Sequence, residues 1–186
     1  MEKSKRMRVT GGIGKGRKLK VPAGSRVRPT SDKVKQALFN ILGQKVEGAL
    51  FLDLFAGIGG IGIEALSRGA GRVVFVDDSR DSLKIIKKNV EQTGFAERAQ
   101  VVASKAETFL KKTSEQFDIV FLDPPYSLAL APLLKVLGES GILKPDSILI
   151  AEHFKKQPSI LHTGNLSLYR QAQYGDTVLT FYRLNI

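Results

Sequence analysis

Leu50-Phe51-Leu52-Asp53-Leu54-Phe55-Ala56-Gly57-Ile58-Gly59-Gly60-Ile61-Gly62-Ile63-Glu64-Ala65-Leu66 decides the fold of this chain. A short apolar run enters a glycine cluster, and the cluster opens into a helical apolar pattern. That order predicts a strand, a tight turn and a helix N-terminus. Gly57, Gly59 and Gly62 have the spacing G-x-G-x-x-G. Gly57 can carry a turn without a Cβ penalty, Gly59 lets the main chain approach a ligand, and Gly62 lets the helix pack close to the strand. A second apolar run over 72–76 ends at Asp77, 20 residues after Gly57. A carboxylate there can accept from both ribose hydroxyls of a bound nucleoside. Asp78 beside it is a further candidate on the cofactor side. The spacing alone fits a dinucleotide and S-adenosylmethionine equally well.

Downstream, strands are expected over 99–103, 117–122 and 146–151, and helices over 60–67, about 80–93, 106–112 and 131–139. Ser79 is a good N-cap and Gly94 a stop for the second of these helices. Two last apolar runs, 167–172 and 177–184, flank Tyr174-Gly175-Asp176 and read as a β-hairpin. Strands alternating with helices imply a parallel sheet covered on both faces, and the hairpin gives it a mixed edge. In such sheets ligands bind beyond the carboxyl ends of the strands. The Gly57 turn, Asp77 and the segment Asp123-Pro124-Pro125-Tyr126 all stand at such ends.

Upstream, residues 1–6 are polar and charged and are expected to be disordered. Short strands over 8–10 and 17–21 flank a glycine-rich turn. The run 11–18 resembles a phosphate-binding P-loop but fails, because Gly16 is followed by Arg17 and not by Lys and Ser or Thr. Residues 26–30, Arg-Val-Arg-Pro-Thr, form an extended basic connector. Ser31 then caps a helix with Val34, Leu38, Ile41 and Leu42 on one face, ended by Gly43. The chain therefore divides into an extension over 1–43 and a main domain over 44–186.

The net charge of +11 is uneven: residues 1–35 hold twelve Lys or Arg and two acids. A basic block on a nearly neutral domain suggests a polyanionic partner. Arg17, Lys18, Arg26 and Arg28 are the candidate phosphate contacts. The block lacks the apolar helical face of a membrane-surface helix, and no apolar run approaches the roughly 20 residues that span a bilayer. Met1 to Arg8 lacks the apolar segment of a secretory signal. With no cysteine there is no disulfide framework and no thiolate metal site. A cytoplasmic, monomeric protein without a metal is the expectation.

The second constellation is Asp123-Pro124-Pro125-Tyr126. Two prolines remove two backbone donors and stiffen the loop, so its carbonyls are open to a ligand. The Asp123 carboxylate adds an acceptor, and Tyr126 offers a face on which a base can stack. An exocyclic amine on a nucleobase is a poor nucleophile, and two acceptors on its hydrogens would hold the nitrogen in line with an electrophilic methyl.

Asp53-Leu-Phe-Ala-Gly57, Asp77 and Asp123-Pro-Pro-Tyr126 together resemble the class I, S-adenosylmethionine-dependent methyltransferases that act on exocyclic amines. Arg28-Pro29-Thr30, Asp32, Val34, Leu38-Phe39-Asn40 and Leu42 are similar to the N-terminal signature of the RsmD family of 16S rRNA guanine-N2 methyltransferases. Gly11-Gly12, Gly16-Arg17-Lys18-Leu19, residues 62–70, Glu152-His153 and residues 174–177 also match. The resemblance implies a Rossmann-like class I methyltransferase fold with a mostly parallel seven-stranded sheet, an antiparallel C-terminal hairpin and a small N-terminal hairpin and helix. It implies S-adenosylmethionine as cofactor, with Asp53, Phe55, Ala56, Gly57 and Gly59 at its methionine part and Asp77 at its ribose. Asp123 and the Pro124 carbonyl would grip the guanine amine, with Pro125 and Tyr126 completing the catalytic loop. The implied partner is 16S rRNA or a partly assembled small ribosomal subunit. Where the family often has an acid directed at the adenine amine, this chain has Lys105, which cannot accept that bond. Adenine contacts then fall to the backbone near Ala106 or to Glu107.

Three other readings compete. A DNA adenine-N6 methyltransferase shares the site chemistry, though the short chain leaves little room for a sequence-reading domain. A nicotinamide-dependent oxidoreductase fits the glycine spacing but leaves the proline loop and basic arm unexplained. A non-catalytic RNA-binding module could keep the fold. Of the two histidines, His162 is expected in a surface loop, and His153 at the end of a strand is either structural or site-facing.

Overall fold

The computed structural model describes residues 7–22 and 30–185. The expectations for residues 1–6 and for Arg26 and Arg28 lie outside the described residues. Strands β3 (Leu50–Leu54), β4 (Arg72–Asp77), β5 (Ala99–Ala103), β6 (Phe117–Leu122) and β7 (Leu143–Phe154) alternate with helices α2 (Gly60–Ser67), α3 (Arg80–Gln92), α4 (Ala106–Lys112) and α5 (Leu130–Glu139). They are followed by β8 (His162–Thr163), β9 (Leu166–Tyr174) and β10 (Thr177–Leu184). The strand order is β5-β4-β3-β6-β7-β10-β9-β8. The five strands β3 to β7 are mutually parallel, and β10, β9 and β8 join antiparallel. The chain grows outward from β3 to β5, then crosses to β6 and grows the other way. The switch point between β3 and β6 is where an open α/β sheet makes its ligand crevice.

Two differences from the sequence reading have local causes. The seven expected strands gain an eighth, because β8 pairs His162 with Ser167 and Thr163 with Leu166. His162 therefore belongs to an edge strand, not a loop. In addition, β7 is longer than expected. Pro145 argues against a continuous strand, and it stands where the β6–β7 register shifts, between the pairs Phe117–Leu143 and Ile119–Ile148.

Each face of the sheet buries one helical layer. Phe51, Phe75, Phe121, Ile150 and Phe181 pack against apolar residues of α2, α3 and α1 (Asp32–Leu42). On the other face Leu52, Val74, Leu122 and Leu149 meet Leu110 of α4 and Leu133, Leu134 and Leu137 of α5. Gly62 permits the close packing expected of it. A Cβ there would lie 2.3 Å from the Phe75 ring, so α2 sits directly on β4. Ser31 caps α1 by accepting from the Val34 amide at 3.3 Å. Val34, Leu38 and Phe39 of α1 lie in the same core as the sheet, with Phe39 stacked 6.4 Å from Phe51.

The N-terminal hairpin of β1 (Met7–Arg8) and β2 (Lys18–Leu19) is latched onto α2 and α3. Both oxygens of the fully buried Glu64 accept from Thr10, from its amide at 2.8 Å and its hydroxyl at 2.7 Å. Arg68 donates to Glu64 at 2.8 Å. The Ser67 hydroxyl accepts from the Gly14 amide at 2.8 Å and donates to the Gly11 carbonyl at 2.6 Å. On α3, the Asn89 side chain exchanges bonds of 2.7 and 3.0 Å with the backbone of Lys20. The P-loop-like glycine run is thus a docking loop. Among the described residues no helix is long and apolar enough to cross a membrane.

Candidate active site

Four carboxylates stand at the carboxyl ends of four adjacent strands. The parallel register pairs Asp53 of β3 with Phe75 of β4 and Phe121 of β6, and Phe121 with Ile150 of β7. Side chains two apart share a face. Asp53, Asp77, Asp123 and Glu152 therefore belong to one face, at the crevice over the switch point.

A cavity of about 810 Å³ opens there, lined by Asp53, Phe55, Ala56, Gly57, Asp77, Asp78, Ala106, Asp123, Pro124, Pro125 and Tyr126 among others. That volume is in the range of small-molecule sites. Asp77 Oδ2 accepts from the Gly57 amide at 2.8 Å and Oδ1 from the Ser79 amide at 2.9 Å. Each oxygen keeps a further lone pair, so the same carboxylate can hold the glycine turn and accept from a ribose. Phe55, at φ 65°, is the sole non-glycine residue with positive φ among those described, and such strain concentrates at ligand-holding turns.

Asp53 lies beneath the start of α2, where its Oδ2 accepts from the Gly62 amide at 2.8 Å. Burial pushes its pKa from 3.8 to about 8, against the stabilising Gly62 bond and with the help of the Asp77 charge. The Asp123 carboxyl is held well above the usual range, first by burial and then by the charges of Glu152 and Asp53.

Two expectations change. Gly59 does not line the cavity. A Cβ on it would point to Ile63, Phe75 and Ile86 in the core, and its φ of +78° at the N-cap of α2 is what requires glycine. Of the loop carbonyls expected to be open, that of Pro125 accepts from the Leu128 amide at 2.8 Å, closing the turn that presents Tyr126. At the opposite wall, Lys105 is the N-cap of α4 but forms no side-chain cap bond. Ala106 and Glu107, in the first turn of α4, line the cavity.

A second cavity of about 670 Å³ adjoins the first and shares Met7, Thr30, Asp123 and Tyr126 with it. It is also lined by Asp32, Glu152, His153, Phe154, Tyr174 and Asp176. Tyr126 is 68% exposed, and its ring meets Phe154 edge-on at 6.2 Å. The Thr30 hydroxyl donates to Glu152 Oε2 at 2.8 Å. His153 is buried, with Nδ1 3.2 Å from the Phe154 carbonyl oxygen.

Sequence reasoning assigned no site role to Thr30, Lys35 or Phe154, and it singled out Glu152 only within a motif. The alternation Ile148, Ile150, Glu152 carried the signal for Glu152. Lys35 had none: it sits on the buried face of α1, and its Nζ donates to the Arg8 carbonyl at 2.5 Å. Of the expected phosphate contacts, Arg17 is engaged within the molecule. Its guanidinium donates to the Thr93 carbonyl and lies 5.5 Å from the Phe95 ring centroid. The Lys18 carbonyl accepts from Gln92, while its side chain is on the exposed side of β2.

A family model described as "Conserved hypothetical protein 95" matches residues 7–183. A Bacillus subtilis protein provisionally named rRNA methyltransferase YlbH is 40% identical over 95% of this chain and 98% of its own length. Ribosomal RNA small subunit methyltransferase D of Haemophilus influenzae is 36% identical over 96% of this chain and 92% of its own. A solved Escherichia coli structure, provisionally named methyltransferase yhhF, superimposes with a TM-score of 0.85 at 33% identity, over 97% of this chain and 98% of that one.

Proposed function

Because the chain belongs to the conserved hypothetical protein 95 family, the RsmD family of rRNA methyltransferases, with their Rossmann-like class I fold, we propose that it methylates the exocyclic N2 of a guanine in small-subunit 16S rRNA. S-adenosylmethionine is the methyl donor. The observation that carries the reading is that Asp123 and Tyr126 belong to the walls of both cavities. A group gripped by the proline loop from the second cavity therefore meets whatever fills the first.

The residues of the first cavity fit the donor. Asp77 would hold the ribose hydroxyls, with Asp78 at the rim. Asp53 and the turn Phe55-Ala56-Gly57 would hold the methionine part. The backbone near Ala106, or Glu107, would meet the adenine, in place of an acid at Lys105. When bound, the donor supplies an electrophilic methyl on a sulfonium.

What the chain itself contributes is then orientation, with the base presented unpaired or flipped out of its stack. Asp123 and the Pro124 carbonyl accept the two N2 hydrogens, and Tyr126 stacks on the ring. So held, the nitrogen lone pair would be aimed at the methyl that the donor would supply. The amine becomes acidic as the bond forms, and Asp123 accepts the departing proton directly or through water. Residues 1–43 would make the RNA contacts through Lys18, Arg26 and Arg28, and 44–186 would carry the chemistry in the cytoplasm as a monomer.

The test is methyl transfer from labelled S-adenosylmethionine to small-subunit rRNA, assembled small subunits and DNA in parallel, with the product nucleoside identified by digestion and mass spectrometry. N2-methylguanosine in either RNA sample is expected, and the better acceptor identifies the assembly stage. N6-methyladenine in DNA would overturn the substrate assignment, and binding of donor without any transfer would overturn catalysis.

A further inference from the structure

We propose that Glu152 selects guanine over adenine by accepting the N1–H of the target base; this rests on the guanine-N2 reading above. Leu122 pairs with Ala151 in the parallel register of β6 and β7, so Asp123 and Glu152 are the next neighbours across the two strands. Adjacent strands lie about 4.8 Å apart, which lets two side chains on one face converge on a single base edge. Both residues line the second cavity, with Tyr126 and Phe154 as its aromatic wall. The Thr30 hydroxyl donates to Glu152 Oε2 at 2.8 Å. Closeness of the two acids is also felt electrostatically, since Glu152 is among the charges that raise the Asp123 pKa.

The Watson–Crick edge of guanine offers N1–H beside the two N2 hydrogens, an unbroken row of donors. Two neighbouring carboxylates and a carbonyl match that row. Adenine pairs its exocyclic amine with N1 as an acceptor, which would bring a lone pair against the Glu152 carboxylate. A proline loop alone orients either amine; the acid on the next strand distinguishes the two bases. Thr30 is a positioning residue for Glu152, because it touches the carboxylate and not the base in this scheme. A site built to bond a base donor rejects an analogue that lacks it far more strongly than one discriminating by shape.

The experiment compares guanine with 2-aminopurine at the target position, in whichever form of small-subunit rRNA the wild-type protein methylates. 2-Aminopurine keeps the 2-amino group, but its N1 is an acceptor. Wild type is expected to favour guanine by about a hundredfold in kcat/KM. Glu152→Gln, whose amide can donate to that N1, is expected to narrow the preference to a few-fold while donor affinity stays within about threefold. An unchanged preference in Glu152→Gln with donor binding intact overturns the inference and leaves the guanine-N2 reading standing. No N2-methylguanosine from wild type overturns that reading and the inference with it. If Glu152→Gln does not fold, Thr30→Val takes its place: a narrowed preference supports the inference, and an unchanged one overturns it.

Discussion

The Gly57 amide donates to Asp77 Oδ2 at 2.8 Å, tying the turn after β3 to the end of β4. One carboxylate thereby fixes the loop and presents acceptors to a ribose. Asp77→Ala should weaken S-adenosylmethionine binding by about a hundredfold, since it removes charged hydrogen bonds of both kinds. Asp77→Asn keeps one carbonyl oxygen and should cost about tenfold. Isothermal titration of the two variants checks the order.

Asp123 is expected to act on the amine and not on donor affinity. Asp123→Ala should lower kcat by about 10² to 10⁴ while donor affinity changes less than threefold. The accepting form is the carboxylate, and burial, Glu152 and Asp53 raise its pKa. Wild-type kcat/KM should therefore climb with pH through the raised pKa, and Asp123→Asn should lose that limb. Equal loss of transfer and donor binding in Asp123→Ala would remove the assigned role.

Asp53 couples protonation to stability. Its pKa is raised from 3.8 to about 8 in the folded protein, so between those values the native state holds a proton that the unfolded chain has lost. The stabilisation is complete below pH 3.8 and declines as pH rises towards about 8, at up to about 1.4 kcal/mol per pH unit for one proton. Asp53→Asn keeps an oxygen for the Gly62 amide and should flatten this component in urea melts taken across that range.

The glycine loop is expected to tolerate nothing larger at Gly12. Its φ is +74°, and a Cβ would lie 1.8 Å from the Ser67 carbonyl oxygen. Backbone on α2 cannot move aside as a side-chain tip can, so Gly12→Ala should cost about 2–4 kcal/mol by strain and overpacking. Gly16→Ala meets nothing within 4 Å although its φ is +86°, and should cost about 1 kcal/mol. Thermal melts of the pair separate the collision from the dihedral.

The basic residues are expected to fall into two groups. Neutralising Lys18, Arg26 or Arg28 should weaken RNA binding and lower the slope of log K against log salt by about 0.7–0.9 per lost phosphate contact. Arg17→Ala should lower the melting temperature and leave the slope unchanged, because its guanidinium is engaged by the Thr93 carbonyl and the Phe95 ring.

Much of the scaffold was legible because its signals are local. The apolar run into Gly57 and the caps at Ser31 and Ser79 each predicted an element that the structure contains. Strand ends were legible too, so the Gly57 turn, Asp77 and the segment from Asp123 to Tyr126 could be placed on one edge from the sequence alone. What could not be read depends on contacts between distant segments. Nothing local tells that Arg17 meets Thr93 at the C-terminus of α3, or that Thr30 meets Glu152 across 122 residues. The N-cap geometry of Gly59 was not legible either, because an N-cap and a ligand-facing turn ask for the same residue type. Pro145 concealed the start of β7 because proline argues against a strand wherever a bulge is not foreseen.

Glu64, held by Thr10 from 54 residues upstream, imposes an order on the making of this protein. The hairpin residues leave the ribosome before their partners on α2 and α3, which are synthesised later. Until then the first strands have no surface to join. Met7, part of the cavity wall, therefore takes its place only after those helices exist, and residues made before α2 and α3 become native after them.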